Sequence, residues 1–226
     1  MNQIEKNTVK AENQLKRNEI VSYIHANGVG KRVLFVGNSI TRHGILHEIG
    51  WHNEWGMAAS SMENDYVHLV AKNILQQDSD ATFCICQAAE WEMNYDNGEK
   101  VLEKFQAARN FQADVIIMRL LENCPRDHFD SKLFQQEYGK LISYLNCTGN
   151  AKIIITTGFW KHIADGAVRE CALKHGYPLV ELNDLGEDDS MKALGLFEHD
   201  GVANHPGDKG MKAIADRILN AVKELL

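Results

Sequence analysis

The sequence predicts an α/β protein, a three-layer α/β/α sandwich around a five-stranded parallel sheet. Three observations carry that expectation. Five short apolar, β-branched-rich runs are spaced along the chain, helical periodicities lie between them, and turn residues separate the two. Strands that alternate with helices imply right-handed crossovers, hence parallel strands covered on both faces.

The runs at 32–36, 81–86, 114–119, 152–157 and 178–182 are nearly continuous apolar stretches, as expected for strands buried on both sides. Helical spacing runs over 66–77, 98–110, 132–145, 164–175 and 208–226. Residues 3–26 carry Ile4, Val9, Leu15, Ile20, Val21 and Ile24 in loosely helical spacing and stop at Asn27-Gly28. Residues 1–29 are therefore expected to hold a leading helix packed on a single domain spanning 30–226. No internal repeat or low-complexity linker interrupts that domain. The one long connection, 42–64, contains Trp51, Trp55 and Met57, too much apolar surface for a free linker. It either walls the site or packs over the sheet.

Composition narrows the function. At 44% hydrophobic and 24% charged the chain has the balance of a globular domain, and no segment approaches the run of about 18 apolar residues that a membrane helix needs. The first twenty residues lack the apolar core and cleavage site of a signal peptide, so a cytoplasmic protein without membrane association is expected. A net charge of −7 with no Lys/Arg cluster argues against nucleic acid as a partner. The five cysteines, Cys84, Cys86, Cys124, Cys147 and Cys171, are an odd set without a CxxC pair, which fits reduced thiols. Cys84 and Cys86 share one face of a strand and are expected to pack as small hydrophobes.

In doubly wound sheets ligands bind beyond the carboxyl ends of the strands. Ser39, in VLFVGNSITRHG, lies just past the first run. A serine there is by itself more often a turn or cap residue than a nucleophile. The second glycine of G-x-S-x-G is absent, so the nucleophile elbow of α/β-hydrolases is not indicated. A serine nucleophile needs a base, and of ten histidines His205, in HDGVANHPGDKGM, has a distinctive setting on the loop leading into the last helix. Asn123, in MRLLENC past the third run, could offer its amide to an oxyanion, as could the backbone N–H groups of Ala89 and Ser39.

These blocks resemble those of the SGNH hydrolases, or GDSL-like esterases, over roughly residues 30–220. GNSIT at 37–41 is similar to the family's GDS block with Asn for Asp, ENC at 122–124 falls where the third block supplies its asparagine, and HPGDKGM at 205–211 matches the final block. The resemblance implies a flavodoxin-like sandwich of the SGNH type, with Ser39 as nucleophile and His205 as base. It also implies an oxyanion hole of Ser39, Ala89 and Asn123, and no cofactor. Two positions depart from the pattern. Gln87-Ala88-Ala89 stands where the family has a glycine donor, and alanine keeps that N–H. The family's acid, three residues before the histidine, is Val202 here. Asp200 is the leading replacement, with Glu198 and Asp165 weaker, and a backbone carbonyl that orients the ring is the alternative.

The expected activity is cleavage of short-chain esters, O-acetyl groups first, on a small molecule such as an acetylated sugar, with Trp55 available to stack on it. Trp91 and Glu92 either line the pocket or pack. A lysophospholipase or lipase of the same superfamily and a non-catalytic carbohydrate-binding relative are the rivals. No metal is expected: His43, His47 and His52 lack an H-E-x-x-H frame and suit surface or pocket-lining roles. Gly28-Val29-Gly30 precedes the first strand, the wrong place for a phosphate cradle.

Overall fold

The computed structural model describes residues 20–223 and 225. A six-stranded sheet runs through them in the order β1-β3-β2-β4-β5-β6. The strands are β1 (Val21–Ile24), β2 (Arg32–Gly37), β3 (Thr82–Gln87), β4 (Val115–Arg119), β5 (Lys152–Thr156) and β6 (Leu179–Val180). The last five are the expected parallel strands, each within a few residues of its predicted ends.

The sixth was not expected. β1 pairs antiparallel with β3, Val21 opposite Cys86 and Ile24 opposite Phe83, in a stretch assigned above to the leading helix. Four residues are too few to outweigh a helical spacing in the sequence; the strand is specified by the open edge of β3, a partner distant in the chain. The rest of that predicted helix lies outside the described residues.

The helices are α1 (Tyr66–Leu75), α2 (Ala89–Met93), α3 (Gly98–Leu102), α4 (Gln106–Asn110), α5 (Ser131–Leu145), α6 (Asp165–His175), α7 (Asp200–Ala203) and α8 (Asp208–Lys223). The helix expected over 98–110 is broken by a 3-10 turn at Glu103–Phe105 into α3 and α4. Caps account for two starts: the Asp65 carboxylate accepts from His68 N at α1, and Asp130 accepts from Lys132 N and Leu133 N at α5.

The sheet separates two apolar cores, and strand alternation assigns residues to each. Val33 and Phe35 of β2 and Val115 and Ile117 of β4 pack with α1 and α8 through Val70, Ile214 and Ile218. Leu34, Val36, Ile116 and Met118 face the other way, toward Phe105, Phe134, Tyr138 and Val168. Cys84 and Cys86 belong to this second core, as expected, and burial pushes the Cys86 thiol up to about 12. The register brings three strand ends level. Gly37 pairs with Gln87 on one side and Arg119 on the other, so the residues just past each emerge together.

Candidate active site

The chain leaves β2 through Gly37, where a β-carbon would lie 1.8 Å from Thr41 Oγ1 and 2.9 Å from Arg119 O, so only glycine fits. A tight turn follows, with Thr41 N and Arg42 N both donating to Asn38 O at 2.9 and 3.0 Å. It lifts Ser39 above the sheet edge, and Met57 N donates to Ser39 O at 2.9 Å, tying the turn to the 42–64 connection.

That connection packs against the rest of the domain. Trp51, Met57 and Ala58 form a small core with Ala193 and Val202, next to the histidine. Ser60 donates to the Asp208 carboxylate from N (2.8 Å) and Oγ (2.6 Å), clamping the connection to the start of α8. His205 is held between α7 and α8, its N–H on Val202 O and its C=O accepting from Ala193 N, both at 2.9 Å.

Ser39 Oγ lies 2.8 Å from His205 Nε2. The other ring nitrogen, Nδ1, lies 2.6 Å from Gly201 O. A carbonyl can only accept, so Nδ1 carries the proton and Nε2 is the lone pair facing the serine hydroxyl. Trp160 packs edge-on to the ring at 5.4 Å between centroids, fixing its plane. Removal from water lowers the His205 pKa to about 4. The Gly201 bond and the charge of Glu122 oppose the shift; Arg119 and His43 add to it.

Asp200 therefore does not supply the acid contact. It opens α7, where its backbone carbonyl accepts from Asn204, while the single Nδ1 proton goes to Gly201 O. One turn of helix at 200–203 aims that carbonyl at the ring. At the family's acid position Val202 is fully buried against the Trp51 cluster.

The three groups expected to receive an oxyanion differ in what they already bond. Ser39 N–H makes no hydrogen bond among the described residues. Ala89 N–H, expected to face the crevice, donates at 3.0 Å to the carboxamide oxygen of its near neighbour Gln87. Asn123 Nδ2 donates to Glu92 Oε2 at 2.6 Å, which uses one of its two amide hydrogens.

Beneath these donors lies a buried polar network that sequence reasoning missed. Asn38 Nδ2 donates to Glu92 Oε1 (2.9 Å) and Glu122 Oε2 (2.5 Å), while Asn38 Oδ1 accepts from Arg119 Nη1 at 2.8 Å. Arg119 is also ion-paired with Glu122, and Phe159 N donates to Glu122 at 2.7 Å. Asparagine in place of the family's aspartate suits this setting, since its amide bridges two carboxylates that a third would repel. A signal was present: Arg119 is a charge inside an apolar strand run, and Glu122 and Trp160 lie just past strand ends.

Trp91 and Glu92 both pack inside the protein. Trp91 is fully buried in an aromatic cluster with Tyr95, Phe134 and Tyr138, and Glu92 is fully buried under Asn123. Trp55 is half-buried, edge-on to Trp51 with its indole N–H on Ala59 O. His47 and His52 face each other at the surface, Nδ1 to Nδ1 at 2.7 Å. No group of three or more His, Cys, Asp or Glu suited to a metal ion occurs among the described residues, and none of the described helices is long and apolar enough to cross a membrane.

No family model and no curated protein matches the chain at the level of sequence. Solved structures do match. Over 86% of its length the chain superposes on the psychrotrophic esterase EstA of Pseudoalteromonas sp., captured with monoethylphosphonate, at TM-score 0.56 and 13% identity, covering 98% of that chain. It superposes at 0.56 and 13% on a member of the lipolytic G-D-S-L family from Veillonella parvula, covering 87% of this chain and 100% of that one. A two-domain esterase active on acetylated mannans, co-crystallised with mannopentaose, matches at 0.56 and 14% over 86% of this chain, which spans 50% of that protein. The chain has the fold of the GDSL, or SGNH, hydrolases.

Proposed function

We propose that the protein is a serine esterase that works with a Ser39–His205 dyad. The contact from Ser39 Oγ to a neutral His205 Nε2, with Nδ1 held by Gly201 O, is the observation that carries the reading. His205 takes the Ser39 proton as Oγ attacks the ester carbonyl. The Ser39 N–H and the free Asn123 amide hydrogen receive the oxyanion, and Ala89 N–H joins when Gln87 yields. His205 then protonates the leaving alcohol, and water repeats the cycle on the acyl-enzyme. The Gly201 carbonyl does the acid's orienting work, holding the tautomer, while giving the imidazolium less stabilisation than a carboxylate would.

A short acyl group, acetyl first, on a carbohydrate or similar polar alcohol is the substrate class we favour. Two observations support it: the fold is shared with an esterase active on acetylated mannans, and a cavity of about 410 Å³ opens beside Gln87 and the 42–46 segment, with Arg42, His43 and Glu54 among its lining. The first test compares p-nitrophenyl acetate hydrolysis by the wild type and Ser39→Ala, with folding checked by circular dichroism. Turnover that Ser39→Ala abolishes supports the nucleophile. Equal inactivity over a panel of esters would favour a binding protein, and a rate that climbs with acyl length would favour a lipase.

Gln87 offers a second check. Its carboxamide oxygen sits on Ala89 N–H, where the oxyanion has to displace it. Gln87→Ala is expected to raise kcat/KM about two- to tenfold, the net worth of one neutral hydrogen bond. A decrease would show instead that Gln87 holds substrate.

A further inference from the structure

Three donors converge on the Glu92 carboxylate. Oε2 accepts from Asn123 Nδ2 at 2.6 Å, and Oε1 accepts from Asn38 Nδ2 at 2.9 Å and from Leu121 N. The carboxylate is fully buried, a costly place for a charge. Leu121 itself has a φ of 139°, in the region L side chains avoid, so the segment from β4 to Asn123 is held in a strained path with its N–H anchored on Glu92. Tethers on either side of Glu122 thus fix the segment that presents Asn123.

We infer that Glu92 is a positioning residue for the oxyanion donor: its ionised carboxylate decides which end of the Asn123 carboxamide faces it, and so keeps an N–H turned to the reacting oxygen. The inference rests on the esterase reading above. The two ends of a carboxamide have nearly the same shape, and only hydrogen bonding selects between them. An ionised carboxylate accepts and cannot donate, so Oδ1 is repelled and Nδ2 is drawn in. A protonated Glu92 can donate to Oδ1 instead, and the selection is lost.

The surroundings place that protonation in the working range. Glu122 lies across Asn38, with Arg119 paired to it; the Cys124 thiol and the Tyr138 hydroxyl, the latter on α5, are also within electrostatic reach of Glu92. Burial, then the Glu122 charge, raise Glu92 to about 7, with the bonds from Asn123, Leu121 and Asn38 opposing. Because the carboxylate is the positioning form, kcat falls as pH drops through about 7, well above the range in which His205 becomes charged.

The test measures kcat and KM for p-nitrophenyl acetate against pH in the wild type, Glu92→Gln and Ser39→Ala, and follows the Asn123 side-chain amide by ¹H–¹⁵N NMR. Wild type is expected to show an acid limb in kcat near neutrality, with the Asn123 amide resonances shifting over the same range. Glu92→Gln is expected to lose that limb and to lower kcat about 10- to 100-fold with KM little changed, up to the cost of one oxyanion donor. The amide titration is read in the wild-type chain and decides the matter even where the variant does not fold. With Ser39→Ala inactive, a Glu92→Gln variant that keeps wild-type kcat and its acid limb, or an Asn123 amide indifferent to pH, overturns the inference. Turnover undiminished in Ser39→Ala overturns the esterase reading and this one with it.

Discussion

Replacing His205 by alanine is expected to lower kcat for ester hydrolysis by about a thousandfold, within the range for loss of a general base. The ring does two things a substitute in solution can only partly restore: it presents an unprotonated Nε2 2.8 Å from Ser39 Oγ, and it is held in that tautomer by Gly201 O. Added imidazole should recover part of the activity of His205→Ala and none of that of Ser39→Ala, which separates a lost base from a disturbed fold. The pH dependence follows from the lowered pKa. An imidazole at its ordinary value of about 6.5 would be mostly charged by about pH 5.5. Desolvated to about 4, His205 stays neutral and basic through that range, and its contribution disappears only as pH falls through about 4. The limb is best measured in Glu92→Gln, where the higher one is absent. A limb near 6.5 in that variant would mean that water reaches the ring.

Removal of Arg119 should be the most damaging change to stability around the site. The guanidinium is fully buried, donates to Asn38 Oδ1 and pairs with Glu122, and Asn38 in turn donates to the second carboxylate, Glu92. Arg119→Met leaves the Glu122 carboxylate buried without its cation and Asn38 Oδ1 without a strong donor. Breaking a buried pair from one side costs about 3–5 kcal/mol, a large fraction of a domain's stability. Urea unfolding followed by tryptophan fluorescence measures it. The companion change Glu122→Gln in the same chain should recover much of the loss, because the uncompensated charge is then gone. A loss below about 1 kcal/mol in the single variant would show that the pair is well solvated.

The sequence was most legible where local chemistry repeats. Continuous β-branched runs read as strands buried on both faces, and the strand-end rule led to Ser39 and Asn123. The GNSIT, ENC and HPGDKGM blocks appeared in the order that the fold later brought together. Where the sequence misled, the deciding partner was distant in the chain. Val21–Ile24 became a strand because β3 had a free edge. Trp91 and Glu92 looked equally suited to a pocket or to a core, and only the packing of α5 and the donors from Asn38, Leu121 and Asn123 settled both inside.

The sequence by itself determined the layer order and the five parallel strands, and it singled out the serine and histidine that the fold brings to 2.8 Å of each other, because periodicity and motif spacing act over a few residues. Only the tertiary structure decided what faces His205 Nδ1, what occupies Ala89 N–H and what lies beneath Asn123. Those contacts turn on ångström-scale direction. A single turn at 200–203 points the Gly201 carbonyl, and not the Asp200 side chain, at the imidazole, and no residue pattern specifies which oxygen arrives first.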